Sequence, residues 1–205
     1  TNIYTTDDMP QIDCLLITHD HYDHLDYSTV KELEKKVKLV ICGLGVGAHI
    51  ERWGYPKEKI IEMDWGNSKE ISKGFIVNAT TSRHFSGRNF IRNSTLWLSF
   101  VLQTPSMNFF LSGDGGYDTH FSEIGKKFGK IDLAFLETGQ YNNKWKYIHS
   151  SPEQVAIEAK DLNAKRVLPI HWGKFALADH PWKEPIERLS KISKEDNIRL
   201  VTPLI

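Results

Sequence analysis

Cysteine is scarce in this chain of 205 residues, which contains only Cys14 and Cys42. Both lie inside apolar runs that are typical of β-strands, where a thiol behaves as a small hydrophobic side chain. Nothing in this usage indicates a disulfide framework. A reducing, cytoplasmic compartment is therefore the simpler expectation.

The chain also lacks long apolar runs and an excess of either charge. No run of about 18 apolar residues occurs, so no transmembrane helix is expected, and residues 1–10 have neither the charges nor the apolar segment of a signal peptide. The 26 basic and 26 acidic residues cancel, which leaves no overall basic surface for nucleic acid. With 40% hydrophobic residues, residues 1–205 are expected to form a single domain.

The stretch from His19 to His24 is the strongest functional signal, since it reads His-x-His-x-Asp-His. Three imidazoles and a carboxylate offer nitrogen and oxygen ligands to two sides of a small site, the donor set that Zn²⁺ and its neighbours accept. The preceding apolar residues 12–17 predict a buried strand, and residues 28–38 show helical spacing. The motif therefore lies in a loop at the carboxyl end of a strand, where α/β folds usually hold their ligands. The alternative is a polar loop that binds no metal.

Short apolar runs and amphipathic segments predict the remaining elements. Strands are predicted at residues 38–42, 59–63, 74–80, 96–103, 107–111, 131–136, 166–170 and 198–201, and helices at residues 120–128 and 184–195, with a short helix ending near Trp53. Ser151, Pro152 and Gln154 form a capping-box pattern at the start of another helix. The glycine-rich residues 43–47 are interpreted as a tight turn rather than a phosphate-binding loop.

Together these motifs resemble the metallo-β-lactamase superfamily of metal-dependent hydrolases. Residues 112–117, 147–154 and 170–175 are similar to the branch that contains N-acyl-phosphatidylethanolamine-hydrolysing phospholipase D and the L-ascorbate-6-phosphate lactonases, with the former more similar. The resemblance implies an α/β fold, the four-layer αββα sandwich, in which several strands precede the first motif. Because only 18 residues precede His19, the amino-terminal strands are expected to be missing from this chain.

The resemblance also implies a dinuclear metal centre, with three ligands for each ion and one carboxylate shared by both. His19, His21 and His84 are assigned to one ion, Asp23, His24 and His171 to the other, and Asp114 to the bridge. Each ion keeps an open position that a bridging water can fill. Zn²⁺ is the expected metal, and Mn²⁺ or Fe²⁺ suits the same donors.

Such a centre is expected to hydrolyse its substrate with a metal-bridging hydroxide, and the resemblance indicates a phosphodiesterase for N-acyl-phosphatidylethanolamine-like phospholipids. Asp23 and His149 are the predicted catalytic residues. His149 precedes a helix amino terminus suited to an anion, so it could hold the phosphate or protonate the leaving group. His149, Tyr117 and Trp172 are predicted to contact the substrate, and Phe175 is either a wall of the site or part of the core.

Other functions are compatible with the same ligand set. The enzymatic alternatives are a phosphorylated-sugar lactonase and an RNA-processing nuclease of this fold, and neutral net charge weighs against the nuclease. The non-enzymatic alternative is a metal-binding protein without turnover, although only catalysis requires an open coordination position. The expected partner is a small-molecule or lipid phosphodiester, with no nucleic acid. Peripheral membrane contact and a homo-oligomer are both compatible with the resemblance.

Overall fold

The computed structural model describes residues 4–88, 90–173 and 177–203, which contain both helices and strands. The strands are β1 Leu15–Ile17, β2 Val40–Gly43, β3 Ile60–Met63, β4 Ser68–Ser72, β5 Phe75–Thr80, β6 Gly87–Arg88, β7 Ile91–Arg92, β8 Ser99–Gln103, β9 Asn108–Leu111, β10 Leu133–Glu137 and β11 Val167–Ile170. The helices are α1 Tyr27–Leu33, α2 Gly47–Arg52, α3 His120–Phe128, α4 Pro152–Asp161 and α5 Glu184–Glu195, with 3₁₀ turns at Lys57–Lys59 and Asn143–Trp145. No helix within these ranges is long and apolar enough to cross a membrane.

The chain divides into two compact units, the first made of Thr1–Asn67 and Phe85–Leu98, the second of Ser68–His84 and Ser99–Ile205. In the first unit, β1, β2 and β3 form a parallel three-stranded sheet in that order. The sheet and helices α1 and α2 share one apolar core, in which Val40 and Ile50 are fully buried. The core thus anchors β1, and the loop that follows β1 carries the first histidine motif.

The second unit contains a six-stranded mixed sheet in the order β11-β10-β9-β8-β5-β4. Strands β9, β10 and β11 are parallel, whereas β4, β5, β8 and β9 pair antiparallel. Helices α3, α4 and α5 contribute Ile124, Val155 and Leu189 to a core shared with Phe110 and Leu136 of the sheet. As a result, β5, β9 and β11 are fixed in one sheet, and each of them is followed by a predicted metal ligand.

Several predicted elements are confirmed by the structure. Helices α3 and α5 have the predicted bounds, and β8 and β9 form the predicted hairpin, with Gln103 opposite Asn108. The side chain of Ser151 accepts from the backbone of Gln154, whose own side chain accepts from the backbone of Ser151, which completes the predicted capping box. These elements are determined by local residues, which explains why local patterns were sufficient.

Other predictions need correction. The helix expected to reach residue 38 ends at Leu33, because Val37 leaves the helix to form a parallel bridge with Ile12. The strand expected at residues 198–201 is reduced to one bridge between Leu200 and Val167. Strand β4 was not predicted, since the sequence Ser-Lys-Glu-Ile-Ser is mostly polar, as suits the exposed edge of a sheet.

Candidate metal centre

The loop after β1 brings the donors of the first motif together within the first unit. His19 is almost completely buried, and its Nδ1 lies 3.0 Å from the hydroxyl of Thr18. In the tautomer in which Nδ1 donates to that hydroxyl, Nε2 carries a lone pair, and it lies 3.0 Å from Nδ1 of His21. Two ligands on one tetrahedral ion are about 3.3 Å apart. The pair therefore has the spacing of two ligands of a shared cation.

Asp23 and His24 complete this loop. Oδ2 of Asp23 lies 3.4 Å from Nε2 of His24, and the rings of His24 and His19 have centroids 4.2 Å apart. A tight turn produces this clustering, since the backbone carbonyl of His21 accepts from the amides of both His24 and Leu25. All four donors of the motif thus lie in one loop, as the sequence predicted.

Asp20 and Arg88 hold this loop in place, and sequence reasoning assigned no role to either. Asp20 is fully buried and its Oδ1 accepts from the amide of Gly87 at 2.7 Å. Nη1 of Arg88 donates to the backbone carbonyls of Asp20 and Leu25, each at 2.7 Å. Asp20 is the first unspecified residue (x) of the motif His-x-His-x-Asp-His, and Arg88 is distant from it in sequence. No local pattern could therefore have indicated their contact.

The second unit presents three predicted ligands from the ends of three strands. His84 follows β5, Asp114 follows β9 and His171 follows β11. Oδ2 of Asp114 lies 3.9 Å from Nε2 of His84 and 3.4 Å from Nε2 of His171. The carboxylate is buried and faces an imidazole on either side. The predicted bridging role of Asp114 fits this arrangement, because two ions that share the carboxylate would each have an imidazole ligand nearby.

The orientation of His84 follows from one backbone carbonyl. Its Nδ1 lies 3.0 Å from the carbonyl oxygen of Ile148, which can only accept a hydrogen bond, so Nδ1 carries the proton. Nε2 then keeps the lone pair that faces Asp114. A metal-ligating histidine is normally fixed by such a bond from its other ring nitrogen.

His171 is held by close packing of the backbone. Its φ of 66° is uncommon for a residue with a side chain and costs of order 1 kcal/mol. A Cβ on Gly139 would overlap the carbonyl oxygen of His171, so only glycine fits beside it. The surrounding packing therefore imposes the backbone conformation that aims His171 at Asp114.

Glu137 is a candidate site residue that the sequence patterns did not indicate. The sequence predicted that a strand ends at Glu137, but it assigned no role to this side chain. Its side chain is 2% exposed, and Oε1 lies 3.2 Å from Nδ1 of His149 and 3.4 Å from Nδ1 of His171. Burial alone would raise the pKa of this carboxyl, but hydrogen bonds and charge from His149 and His171 hold the pKa below its usual range. Glu137 stands at the end of β10, as the predicted ligands stand near the ends of other strands. This position was the signal in the sequence that could have identified it.

The other predicted substrate residues make structural contacts. The hydroxyl of Tyr117 donates to Asp161 at 2.9 Å and its ring stacks on Phe121. Nε1 of Trp172 donates to the carbonyl of Pro169, and its ring stacks on Trp182. Phe175 lies outside the described residues. Substrate contact by Tyr117 and Trp172 stays a prediction from the motifs.

Glu158 of α4 is a further buried carboxyl in this unit. Burial raises its pKa well above the usual range, the Ser150 hydroxyl opposes this, and the charges of Glu137 and Asp161 add to the rise. The hydroxyl oxygen of Ser150 lies 2.5 Å from Oε1 of Glu158 and 3.1 Å from the carbonyl of Gly115. Ser150 has one hydroxyl hydrogen, so both contacts are satisfied when Glu158 is protonated and donates to Ser150.

Glu158→Gln should therefore change how stability depends on pH. A carboxyl whose pKa is raised in the folded state binds more protons there than in the unfolded chain, so its contribution to stability is lost as pH rises above about 4.5. Glutamine keeps a donor for Ser150 but does not titrate. Denaturant unfolding between pH 4.5 and 8 should show the variant gaining stability relative to wild type as pH rises. A variant whose stability relative to wild type stays constant or falls as pH rises would mean that Glu158 is ionised in the folded protein.

Comparison with known proteins agrees with this geometry. A family model described as the beta-lactamase superfamily domain matches residues 2–172. An uncharacterised protein of Mycobacterium tuberculosis is 40% identical over 96% of this chain and 54% of its own length. The mitochondrial N-acyl-phosphatidylethanolamine-hydrolysing phospholipase D of Saccharomyces cerevisiae is 34% identical over 91% of this chain and 42% of its own length. This chain thus spans about half the length of the mycobacterial relative.

A solved structure shows the fold. The metallo hydrolase Igni18 of the archaeon Ignicoccus hospitalis superimposes with a TM-score of 0.75 at 17% identity, over 94% of this chain and 76% of its own. The predicted α/β fold of the metallo-β-lactamase type is confirmed. Since the family model covers most of the sequence and both units present the expected donors, the chain belongs to the metallo-β-lactamase superfamily, close to the branch of the N-acyl-phosphatidylethanolamine-hydrolysing phospholipases D.

Proposed function

We propose that this chain carries the metal centre of a hydrolase that cleaves phosphodiesters of the N-acyl-phosphatidylethanolamine class. The observation that carries the proposal is the buried carboxylate of Asp114, which faces imidazoles from two other strand ends, those of His84 and His171. A carboxylate between two nitrogen ligands suits a pair of divalent ions in a hydrolytic centre. The substrate class comes from the yeast relative, whose name gives that activity.

The proposed ligand assignment is the one expected from the sequence. One ion takes His19, His21 and His84, the other takes Asp23, His24 and His171, and Asp114 is shared. Support comes from the donors within each unit: four lie in the loop after β1, and three lie at strand ends in the second unit. Imidazole and carboxylate ligands suit Zn²⁺ best. When bound, two such ions lower the pKa of a water molecule and stabilise negative charge on the attacked group.

His149 is proposed to handle the proton during cleavage. Its Nδ1 lies 3.2 Å from Oε1 of Glu137, so Nε2 is the nitrogen that exchanges a proton with the substrate. A protonated ring beside the Glu137 carboxylate can donate to the departing alkoxide of a phosphodiester. Helix α4 begins at Pro152, and its amino terminus favours an anionic group near His149.

A cleavage assay tests the proposed function. Full-length protein containing this chain, loaded in turn with Zn²⁺, Mn²⁺ or Fe²⁺, is incubated with N-acyl-phosphatidylethanolamine in mixed micelles, with a phosphorylated lactone and with RNA. We expect cleavage of the lipid, with release of phosphatidic acid, and no cleavage of the lactone or of RNA. Cleavage of the lactone or of RNA instead would replace the substrate class. Metal-replete protein that cleaves none of the three would contradict the proposal.

The purified protein should contain close to two divalent ions per chain, because its seven candidate ligands divide into two sets with one shared carboxylate. Elemental analysis of folded, metal-replete protein measures this ratio. A ratio at or below one would contradict the dinuclear assignment even if the protein were active.

A further inference from the structure

Glu137, His149 and His171 form a group whose ligand atoms all lie within 4.8 Å of one another. By composition alone this group resembles a further metal site. The bonding of Glu137 indicates otherwise, because its carboxylate also accepts from the backbone amides of Gly139 at 3.0 Å, Gln140 at 3.2 Å and Ser150 at 3.1 Å. With the two imidazoles, five donors from the described residues converge on it.

Five converging donors leave this carboxylate little capacity for a cation. A carboxylate offers about four lone-pair positions, and three of the donors here are backbone amides, which cannot rotate away. The amides also direct the positive ends of their dipoles at the carboxylate oxygens, which favours an anion at that point and disfavours a metal ion. Glu137 is thus an acceptor of hydrogen bonds rather than a ligand.

The same contacts determine the tautomers of the two histidines. Oε1 of Glu137 accepts from the backbone amides of Gly139 and Gln140 and so acts as an acceptor toward both rings as well, which places hydrogen on Nδ1 of His149 and of His171. In the neutral form of each ring, Nε2 then bears the lone pair. For His171 that nitrogen is the one that faces Asp114 at 3.4 Å. The two rings lie nearly parallel, with an interplanar angle of 8° and centroids 5.6 Å apart.

We propose that Glu137 is a positioning residue that orients two histidines with different tasks through one oxygen, holding His171 as a metal ligand and His149 as the proton-transfer group. The inference rests on the proposed function for the task of His149, whereas the task of His171 requires only metal binding. Through this shared oxygen, a change at one carboxylate affects both metal retention and proton transfer.

The test uses Glu137→Gln in the full-length protein, with Glu158→Gln as the matched control. Both substitutions remove a buried carboxyl within the same unit, and both residues contact Ser150, but Glu158 contacts neither histidine among the hydrogen bonds of the described residues. We expect Glu137→Gln to weaken Zn²⁺ binding by about 10–100-fold, the range for losing a partner of a metal ligand. Turnover should fall mainly through kcat, since the substrate-contacting groups remain. Glu158→Gln should leave both quantities within about twofold of wild type.

A spectroscopic readout separates positioning from a merely structural role. Long-range ¹H–¹⁵N correlation spectra of ¹⁵N-histidine-labelled protein distinguish Nδ1-protonated from Nε2-protonated rings. In wild type we expect Nδ1–H for both His149 and His171, and in Glu137→Gln a mixture of tautomers. Wild-type protein with an Nδ1 that carries no hydrogen on either ring would overturn the proposal, and this measurement holds even if the variant does not fold. A folded variant with wild-type tautomers and wild-type Zn²⁺ affinity, measured by chelator competition, would also overturn it.

These readouts are independent of the substrate. If the lipid is not cleaved but tautomers and Zn²⁺ affinity respond as expected, the substrate class is wrong and the positioning role of Glu137 stands. If the lipid is cleaved and Glu137→Gln matches wild type in tautomer, affinity and kcat, the proposed function stands and the positioning role is wrong.

Discussion

Asp114→Asn should lower turnover by about 10²–10³-fold or more, because weakening the shared ligand disturbs the two ions that would stabilise the developing charge, and losing such stabilisation costs about this much. The carboxylate oxygen of Asp114 faces both His84 and His171, and a neutral amide cannot neutralise two cations between them. The side-chain volume is almost unchanged, so the free energy of unfolding should fall by less than about 2 kcal/mol. Steady-state kinetics, metal analysis and thermal unfolding of the same preparation measure the three quantities.

A control for this substitution lies four residues further along the chain. Asp118→Asn removes a carboxylate that pairs with Arg83 at 3.0 Å on the surface, and such exposed pairs contribute about 0–1 kcal/mol. We expect it to retain both metals and near wild-type turnover. Wild-type turnover in Asp114→Asn with two ions bound would show that Asp114 does not bridge them.

His149→Ala and His171→Ala should both lose activity, but only the second should lose metal. His149 is surplus to the two ligand sets, and removing a positioned acid or base costs about 10²–10⁴-fold in rate. His171 is needed to complete one set. Its backbone is fixed beside Gly139.

Metal content and turnover of the two variants are measured in parallel. Loss of an ion from His149→Ala would make His149 a ligand, with Glu137 and His171 as its partners. Undiminished turnover in His149→Ala would show that His149 has only a structural role in the loop before α4. Full metal content in His171→Ala would contradict the assignment of the second ion.

The first ligand motif was predictable from its spacing, and the family resemblance then pointed to His84, Asp114 and His171. Each of these three lies within four residues after a strand, and those strands are visible as apolar runs without knowledge of the sheet order. The order itself, with β5 between β4 and β8, was not accessible from local patterns. Pairing between distant strands depends on packing that only the folded chain defines.

The supporting residues were not predictable for a related reason. Asp20 acts through Gly87, and Glu137 acts through His149 and His171, so the role of each depends on a partner far along the sequence. In the sequence, Asp20 and Glu137 look like any other acidic residues, and acidic side chains are usually exposed. Their burial is the decisive fact, and it follows from the fold rather than from the neighbouring sequence.

The donors of the two units differ in how far apart they lie along the chain. Those of the first unit fall within six consecutive residues, from His19 to His24, so a disordered polypeptide can already present them to a cation. Those of the second unit, His84, Asp114 and His171, come together only after β5, β9 and β11 have joined one sheet. Metal held with the help of these three donors would stabilise the folded state by mass action, because the unfolded chain does not bring them together.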